Sequence, residues 1–164
     1  MTDEQPTVHV EIEERQAGRV AWVRMDNPAM LNAGSGPLVA KLIASFEALA
    51  KDDGLRAAVL TGAGERAFMA GADLNELSVL EPESARKFIT QLHLAAQSIR
   101  ALPVPVIGRL RGFCLGGGLE LAAACDFRLA DDSFVMGMPE VKVGLPSVIE
   151  AALLPGLIGW GKTR

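Results

Sequence analysis

Residues 104–126 have the sequence VPVIGRLRGFCLGGGLELAAACD. The first eight of them are largely apolar, which predicts a buried strand over residues 104–111. Three glycines follow at positions 116–118, and the alanine- and leucine-rich run after them predicts a helix over residues 117–124. A strand that passes through a glycine turn into a helix is typical of an α/β protein.

The sequence on both sides of this unit alternates between strands and helices. Alternating polarity and short apolar runs predict strands, and apolar residues spaced three and four apart predict helices. The predicted strands cover residues 8–12, 19–25, 56–61 and 127–130, and the predicted helices cover residues 37–49 and 82–101. We expect a loop over residues 62–71 and an incomplete helical hairpin over residues 151–160. The whole chain, residues 1–164, is thus predicted to be one α/β domain.

Composition excludes several classes of protein. The net charge is −4, there is no tyrosine and aromatic residues make up 5%, so nucleic-acid binding is disfavoured. No apolar stretch is long enough to cross a bilayer, and the N-terminus lacks the basic and apolar segments of a secretion signal. We therefore expect a cytoplasmic protein that does not bind membranes. In that compartment Cys114 and Cys125 are predicted to be reduced core residues.

Two glycine motifs match nucleotide-binding patterns but lack the required context. Residues 156–163 fit the phosphate-loop pattern G-x-x-x-x-G-K-T, yet no strand precedes them and one residue follows, so we interpret them as a helix end. Residues 62–67 fit G-x-G-x-x-A, but these glycines do not belong to a first βαβ unit. Neither motif is taken as a binding site.

The triple glycine has a possible chemical purpose. Three consecutive glycines carry an entropic cost. Their presence is explained if backbone amides must be accessible to a ligand here. Amides at a helix N-terminus stabilise an oxyanion, and Glu120 is predicted to lie in the first turn of that helix. The alternative is that the glycines permit close packing and that Glu120 only complements the helix dipole. The spacing alone leaves both interpretations open.

Other ionisable residues are weaker candidates. Glu140 follows a proline and precedes an apolar run that predicts a strand. If Glu120 and Glu140 flank one cavity, the two carboxylates can divide the acid and base roles of a reaction. Glu150 is a third candidate, although we favour an exposed first turn of a helix for it. His9 and His93 are the only histidines, and we expect neither to lie in a cluster with cysteines or carboxylates. This argues against a His or Cys metal site and against a Ser-His-Asp triad, and His93 is predicted to be a helix-surface residue.

Three segments together resemble the crotonase superfamily, in particular the enoyl-CoA hydratase/isomerase family. The segments are residues 67–77, 104–126 and 139–146, and the resemblance extends over nearly the whole chain. It implies a spiral of ββα turns, usually assembled as trimers and dimers of trimers. The family's C-terminal helices are expected to be missing from this chain.

The resemblance also implies roles for individual residues. The amides of Ala72 and Gly117 match the family's oxyanion hole, Glu120 matches the group that activates water for addition at the β-carbon, and Glu140 matches the group that exchanges the α-proton. The CoA portion of the substrate would contact Met30, Leu31, Ala70, Gly71, Ala72, Asp73, Leu74 and Gly116. CoA would enter as part of an acyl-CoA substrate, with no permanently bound cofactor and no metal.

The presence of both glutamates favours a hydratase of 2-enoyl-CoA thioesters among the activities of the family. An isomerase, another acyl-CoA lyase or hydrolase, and a non-catalytic CoA-binding or assembly subunit are the alternatives. Residues 147–150, Ser-Val-Ile-Glu, replace a glycine-rich segment that hydratases of the family often carry. Because they add bulk and a charge near the acyl side of the cavity, we expect the acyl substrate to differ.

Overall fold

The computed structural model describes residues 5–164 and contains two sheets. The strands are β1 (Thr7–Arg15), β2 (Gly18–Asp26), β3 (Leu55–Gly62), β4 (Ala67–Ala70), β5 (Val106–Leu110), β6 (Phe113–Leu115), β7 (Phe127–Ala130) and β8 (Val135–Gly137). The first sheet has the order β1-β2-β3-β5-β7, and the second has the order β4-β6-β8. The β1–β2 hairpin is antiparallel, and every other pairing of these strands is parallel.

Five α-helices connect and cover these strands. They are α1 (Gly36–Leu49), α2 (Leu74–Leu77), α3 (Pro82–Arg100), α4 (Gly117–Ala124) and α5 (Leu154–Thr163). Three short 3-10 helices cover Pro28–Met30, Glu140–Val143 and Ala151–Leu153. From β3 onward, successive strands alternate between the two sheets, with α3 after β4 and α4 after β6. This alternation confirms the predicted spiral of ββα turns.

Helix α4 lies at the centre of the core. Seven of its eight residues, all except the first, are buried, and it contacts α3, β4 and β6. A Cβ placed on Gly118 would collide with the backbone carbonyl of Met69, so only glycine allows α4 to approach β4 this closely. The close approach fixes the start of α4 beside the end of β4, where the candidate site lies.

Most of the predicted elements are confirmed, and α4 and β7 have the predicted bounds. Three predictions are wrong. The predicted loop over residues 62–71 contains β4, whose four residues form a strand only because β6 lies alongside. The residues after Glu140 form a 3-10 helix instead of a strand, closed by a hydrogen bond from the Leu145 amide to the Glu140 carbonyl at 3.0 Å. Residues 151–160 form a 3-10 turn that leads directly into α5.

Both cysteines are buried and unpaired, as predicted. Burial raises the pKa of the Cys114 and Cys125 thiols to about 12. Neither thiol is therefore a nucleophile at neutral pH.

Across residues 5–164, no helix has both the length and the apolar character that crossing a membrane would require.

Candidate active site

The ends of β4 and β6 bring two glycine turns together. Ala70 pairs with Leu115 in the parallel register, and the next residue on each strand is a glycine with positive φ, 82° at Gly71 and 50° at Gly116. A Cβ on Gly116 would lie 3.7 Å from the Gly71 Cα, so the two turns are in contact. The residues that follow them, at positions 72 and 117, therefore start from adjacent points at one edge of the sheet.

The amides of Ala72 and Gly117 have no protein acceptor among the hydrogen bonds of residues 5–164. The neighbouring amides do have acceptors: those of Asp73 and Gly116 donate hydrogen bonds to backbone carbonyls at 3.2 and 2.9 Å. Both Ala72 and Gly117 are partly buried. Backbone donors away from water are nearly always paired in folded proteins, so these two amides can bind an acceptor from outside the chain.

Glu120 is a buried acid held by backbone amides. It lies in the first turn of α4 and is 3% exposed. Its Oε1 accepts hydrogen bonds from the amides of Glu150 at 2.9 Å and Ala151 at 2.8 Å. Burial raises the pKa of Glu120 above its ordinary value, these amides partly oppose the rise, and the nearby Glu140 carboxylate adds to it.

Glu140 also lies close to this turn. It begins the 3-10 helix after β8, and its Oε2 accepts a hydrogen bond from the Ser147 hydroxyl at 3.2 Å. A Cβ on Gly116 would collide with the Glu140 carboxylate, so this acid lies directly against the glycine turn. The structure thus brings all four residues expected to act on a substrate, Ala72, Gly117, Glu120 and Glu140, to the carboxyl ends of β4 and β6.

The residues expected to contact CoA lie around the end of β4. The Ala70 amide donates to the Leu31 carbonyl at 3.1 Å, which joins the 3-10 turn of residues 28–30 to the strand. Asp73 caps α2 by accepting from the amide two residues ahead at 2.9 Å. Met30 and Leu74 are exposed apolar side chains on either side. The eight residues are brought together, and two of them expose apolar side chains.

Asn32 is a structural residue of this region that sequence reasoning missed. It is fully buried, its Oδ1 accepts from the Asn27 amide, and its Nδ2 donates to the carbonyls of Ala63 and Ala67, each at 2.9 Å. It therefore fixes the loop that carries Leu31 against β4. The available signal was an asparagine next to residues of an apolar loop, which is too common to be specific.

Asn32→Ala is expected to lower the free energy of unfolding by about 3 kcal/mol, because three buried backbone groups would lose their partner. Urea unfolding followed by circular dichroism measures the change. Asn75→Ala, at an exposed position of α2, is the matched control and should shift the value by no more than about 0.5 kcal/mol. Equal effects of the two substitutions would contradict the assigned role.

The prediction for Glu150 is wrong, since Glu150 is 6% exposed instead of lying on an exposed helix turn, and its backbone amide is one of the donors to Glu120. His93 is an exposed residue of α3, as predicted. The expectation that neither histidine lies beside a carboxylate is wrong: His93 Nδ1 lies 2.6 Å from Glu150 Oε1, and His9 Nε2 lies 2.8 Å from Asp26 Oδ2. His93 and Glu150 are 57 positions apart, and spacing in the sequence gives no sign of their contact.

The remaining expectations concern nucleotide and metal sites. The phosphate-loop match at residues 156–163 lies in α5, as expected for a helix end, and Gly159 interrupts that helix with a φ of 75°. Within the part of the chain that the structure describes, no group of three or more His, Cys, Asp or Glu side chains is arranged to hold a metal ion.

The raised pKa of Glu120 predicts a pH-dependent stability. A carboxyl group has an ordinary pKa of 4.5, so in the unfolded chain Glu120 is ionised above that pH. The folded state binds its proton more tightly; ionised Glu120 therefore destabilises the fold at neutral pH, and the penalty disappears as the pH falls through the folded pKa. The melting temperature of Glu120→Gln minus that of the wild type should increase from about pH 5 to about pH 8. A difference that does not change with pH would contradict the raised pKa.

Comparison with known proteins gives one consistent family. A family model described as enoyl-CoA hydratase/isomerase matches residues 14–162. A short-chain-enoyl-CoA hydratase of Clostridium acetobutylicum is 34% identical over 148 residues, which are 90% of this chain and 57% of that protein. A crotonyl-CoA hydratase of Syntrophomonas wolfei is 33% identical over 147 residues, 89% of this chain and 56% of that protein.

A solved structure agrees with these relatives. The crystal structure of an enoyl-CoA hydratase from Thermoplasma volcanium superposes with a TM-score of 0.84 at 38% identity, covering 94% of this chain and 61% of that one. The chain therefore spans a little over half the length of the proteins to which it is similar.

Proposed function

The chain belongs to the enoyl-CoA hydratase/isomerase family, and on that premise we propose that it adds water across the 2,3 double bond of 2-enoyl-CoA thioesters. The observation that carries this proposal is the position of two backbone amides without a protein acceptor, at Ala72 and Gly117, beside two carboxylates. The similarity to proteins named enoyl-CoA and crotonyl-CoA hydratases supports the same reaction.

The two amides supply the electrostatic part of the mechanism. When water adds to C3 of the substrate, the electron pair of the double bond moves toward the thioester oxygen, which becomes an enolate oxygen. The amides of Ala72 and Gly117 donate to this oxygen and need not reorganise as the charge develops. Gly117 is the first residue of α4, so the positive end of that helix dipole adds to the stabilisation.

The two glutamates supply the proton transfers. Glu120 accepts a proton from the water whose oxygen bonds to C3, and Glu140 gives a proton to C2 as the enolate electron pair returns there. The products are the 3-hydroxyacyl thioester, protonated Glu120 and ionised Glu140, and one proton must return from Glu120 to Glu140 before the next turnover. Burial is the main cause of the raised pKa of Glu120, and the contribution of the Glu140 carboxylate to it indicates that the two acids lie near each other.

The exposed groups around β4 are proposed to hold the CoA portion of the substrate, with no separate cofactor. Met30 and Leu74 expose apolar side chains that can contact CoA, and the backbone of residues 70–73 and Gly116 completes the proposed CoA surface. We also propose a homotrimer or hexamer. Exposed apolar side chains on β7, β8 and the following 3-10 helix support this proposal, since such surface is usually covered in an assembly. They are Phe127, Leu129, Val135, Met136 and Val141.

Crotonyl-CoA tests the proposed reaction. The absorbance of the conjugated thioester should decrease on addition of the protein, and chromatography should identify 3-hydroxybutyryl-CoA as the product. Formation of crotonyl-CoA from 3-butenoyl-CoA without any hydration would identify an isomerase instead. Binding of crotonyl-CoA without turnover would identify a non-catalytic binding subunit, and either result would contradict the proposal.

A further inference from the structure

We propose that Glu150 and His93 are a positioning pair for Glu120. Their contact holds the backbone of residues 149–151 in place, and the amides of Glu150 and Ala151 then hold one oxygen of the Glu120 carboxylate. The catalytic part of this inference rests on the proposed function, because it takes Glu120 to be the group that accepts the proton from water. Neither member of the pair is assigned contact with the substrate.

A continuous path of contacts joins the two residues to Glu120. His93, on α3, has its Nδ1 2.6 Å from Glu150 Oε1. The backbone amide of the same Glu150 donates to Glu120 Oε1 at 2.9 Å, and the next amide, of Ala151, donates at 2.8 Å. The side chain of Glu150 therefore attaches to α3, while its main chain attaches to α4.

The burial of Glu150 indicates a specific role. Its side chain is 8% exposed, and burying a second carboxylate next to Glu120 is expensive unless the charge is compensated. In the described part of the chain, His93 is the one side chain that forms an ion pair or hydrogen bond with the Glu150 carboxylate. An apolar side chain could fill this position at lower cost, so the contact with His93 explains the acid.

The surrounding segment touches the hydrophobic core through Ile149 and Leu153, which are partly buried. Residues 141–148 are all exposed, and the chain becomes buried again at Ile149 and Glu150. The position of the two donor amides therefore depends on what holds residues 149–151. The Glu150 carbonyl accepts from the Leu153 amide at 2.9 Å, which closes the local turn but does not attach it to α3. The His93 contact supplies that attachment.

The consequence for Glu120 is a fixed orientation. Both of these hydrogen bonds end on Oε1, so the other carboxylate oxygen accepts neither of them and is the one that would take a proton from water. If residues 149–151 shift, the carboxylate loses this orientation, and an error of about 1 Å at a reacting group can cost about 100-fold in rate. Substrate affinity should change little, since neither Glu150 nor His93 is assigned contact with the substrate.

The test combines steady-state kinetics with a double-mutant cycle. Glu150→Ala and His93→Ala should each lower kcat for crotonyl-CoA by about 10- to 100-fold, with KM within about threefold of the wild type. The double variant should be no slower than the slower single variant, because both substitutions break one contact. Glu150→Gln retains an acceptor oxygen for His93 and should recover most of kcat.

The chain contains a matched control. His9 Nε2 lies 2.8 Å from Asp26 Oδ2, and the His9 side chain is 49% exposed, as is that of His93. This second pair lies on the β1–β2 hairpin. His9→Ala should therefore leave kcat and KM unchanged. A loss of kcat in His93→Ala but not in His9→Ala then assigns the effect to the contact with Glu150, and not to the loss of any histidine–carboxylate contact.

Amide hydrogen exchange gives a readout that does not depend on activity. The Ala151 amide should exchange at least about tenfold faster in Glu150→Ala and His93→Ala than in the wild type and in His9→Ala, because its hydrogen bond to Glu120 opens more often. Unchanged exchange, or additive losses of kcat in the double variant, would overturn the positioning pair. A wild-type protein without hydratase activity would instead refute the proposed function, and the exchange rates would still decide whether the pair holds Ala151.

Discussion

Gly117→Pro is expected to lower kcat for crotonyl-CoA hydration by at least about 100-fold, which corresponds to about 3 kcal/mol of transition-state stabilisation. Proline removes the amide hydrogen and places a ring methylene where the enolate oxygen would bind. The helix itself should tolerate the change, because Gly117 is the first residue of α4 and proline is favoured at that position. The effect is therefore expected in the chemistry more than in the fold.

Gly117→Ala is the matched control. A Cβ at this position would meet only the Met69 Cε, at 3.8 Å, which is an ordinary van der Waals contact. Alanine keeps the amide donor, so kcat should stay within about threefold of the wild type. Circular dichroism confirms that both variants fold. If the proline and alanine variants had the same kcat, the Gly117 amide would not stabilise the enolate.

Glu140→Gln is expected to lower kcat by at least about 100-fold, since it removes the acid that supplies the proton to C2. Glutamine has nearly the same size, and its amide oxygen can still accept from the Ser147 hydroxyl, so the contact with Gly116 and the binding of CoA esters should persist. KM should change much less than kcat. The measurement is the initial rate with crotonyl-CoA over a range of concentrations.

A second readout isolates the proton step of Glu140. In deuterated water the wild type should exchange the α-protons of butyryl-CoA, a saturated thioester, and Glu140→Gln should not; proton NMR follows the exchange. Glu83→Gln, at an exposed position of α3, is the control and should match the wild type in both assays. Turnover and exchange at wild-type rates in Glu140→Gln would exclude it as the α-carbon acid.

The sequence predicted α4 and β5 well because their signals are local. The three glycines and the alanine-rich run mark the helix from Gly117 to Ala124, and the apolar run before them marks β5. The resemblance to the enoyl-CoA hydratase/isomerase family then selected Glu120 and Glu140 as candidate site residues, and the structure brings both to the same glycine turn. Their chemical roles remain predictions.

Three of the errors have a common physical cause. Strand β4 has four residues and is stabilised by its pairing with β6, whose residues lie 45 or 46 positions later in the chain, so no local pattern marks it. Glu150 is buried because its backbone serves Glu120 and its side chain contacts His93, both far away in the sequence. Asn32 is buried for the same reason, since the carbonyls to which its Nδ2 donates lie 31 and 35 positions away. Local patterns cannot report contacts made only after the chain has folded.

The most direct test of the account is the source of the oxygen at C3. Crotonyl-CoA is incubated with the protein in ¹⁸O-enriched water, and the thioester products are analysed by mass spectrometry. Our account predicts 3-hydroxybutyryl-CoA that carries ¹⁸O on C3, formed by the wild type and at most about one hundredth as fast by Glu140→Gln. Recovery of unlabelled crotonyl-CoA alone, or equal labelling by both proteins, would contradict hydration by this site.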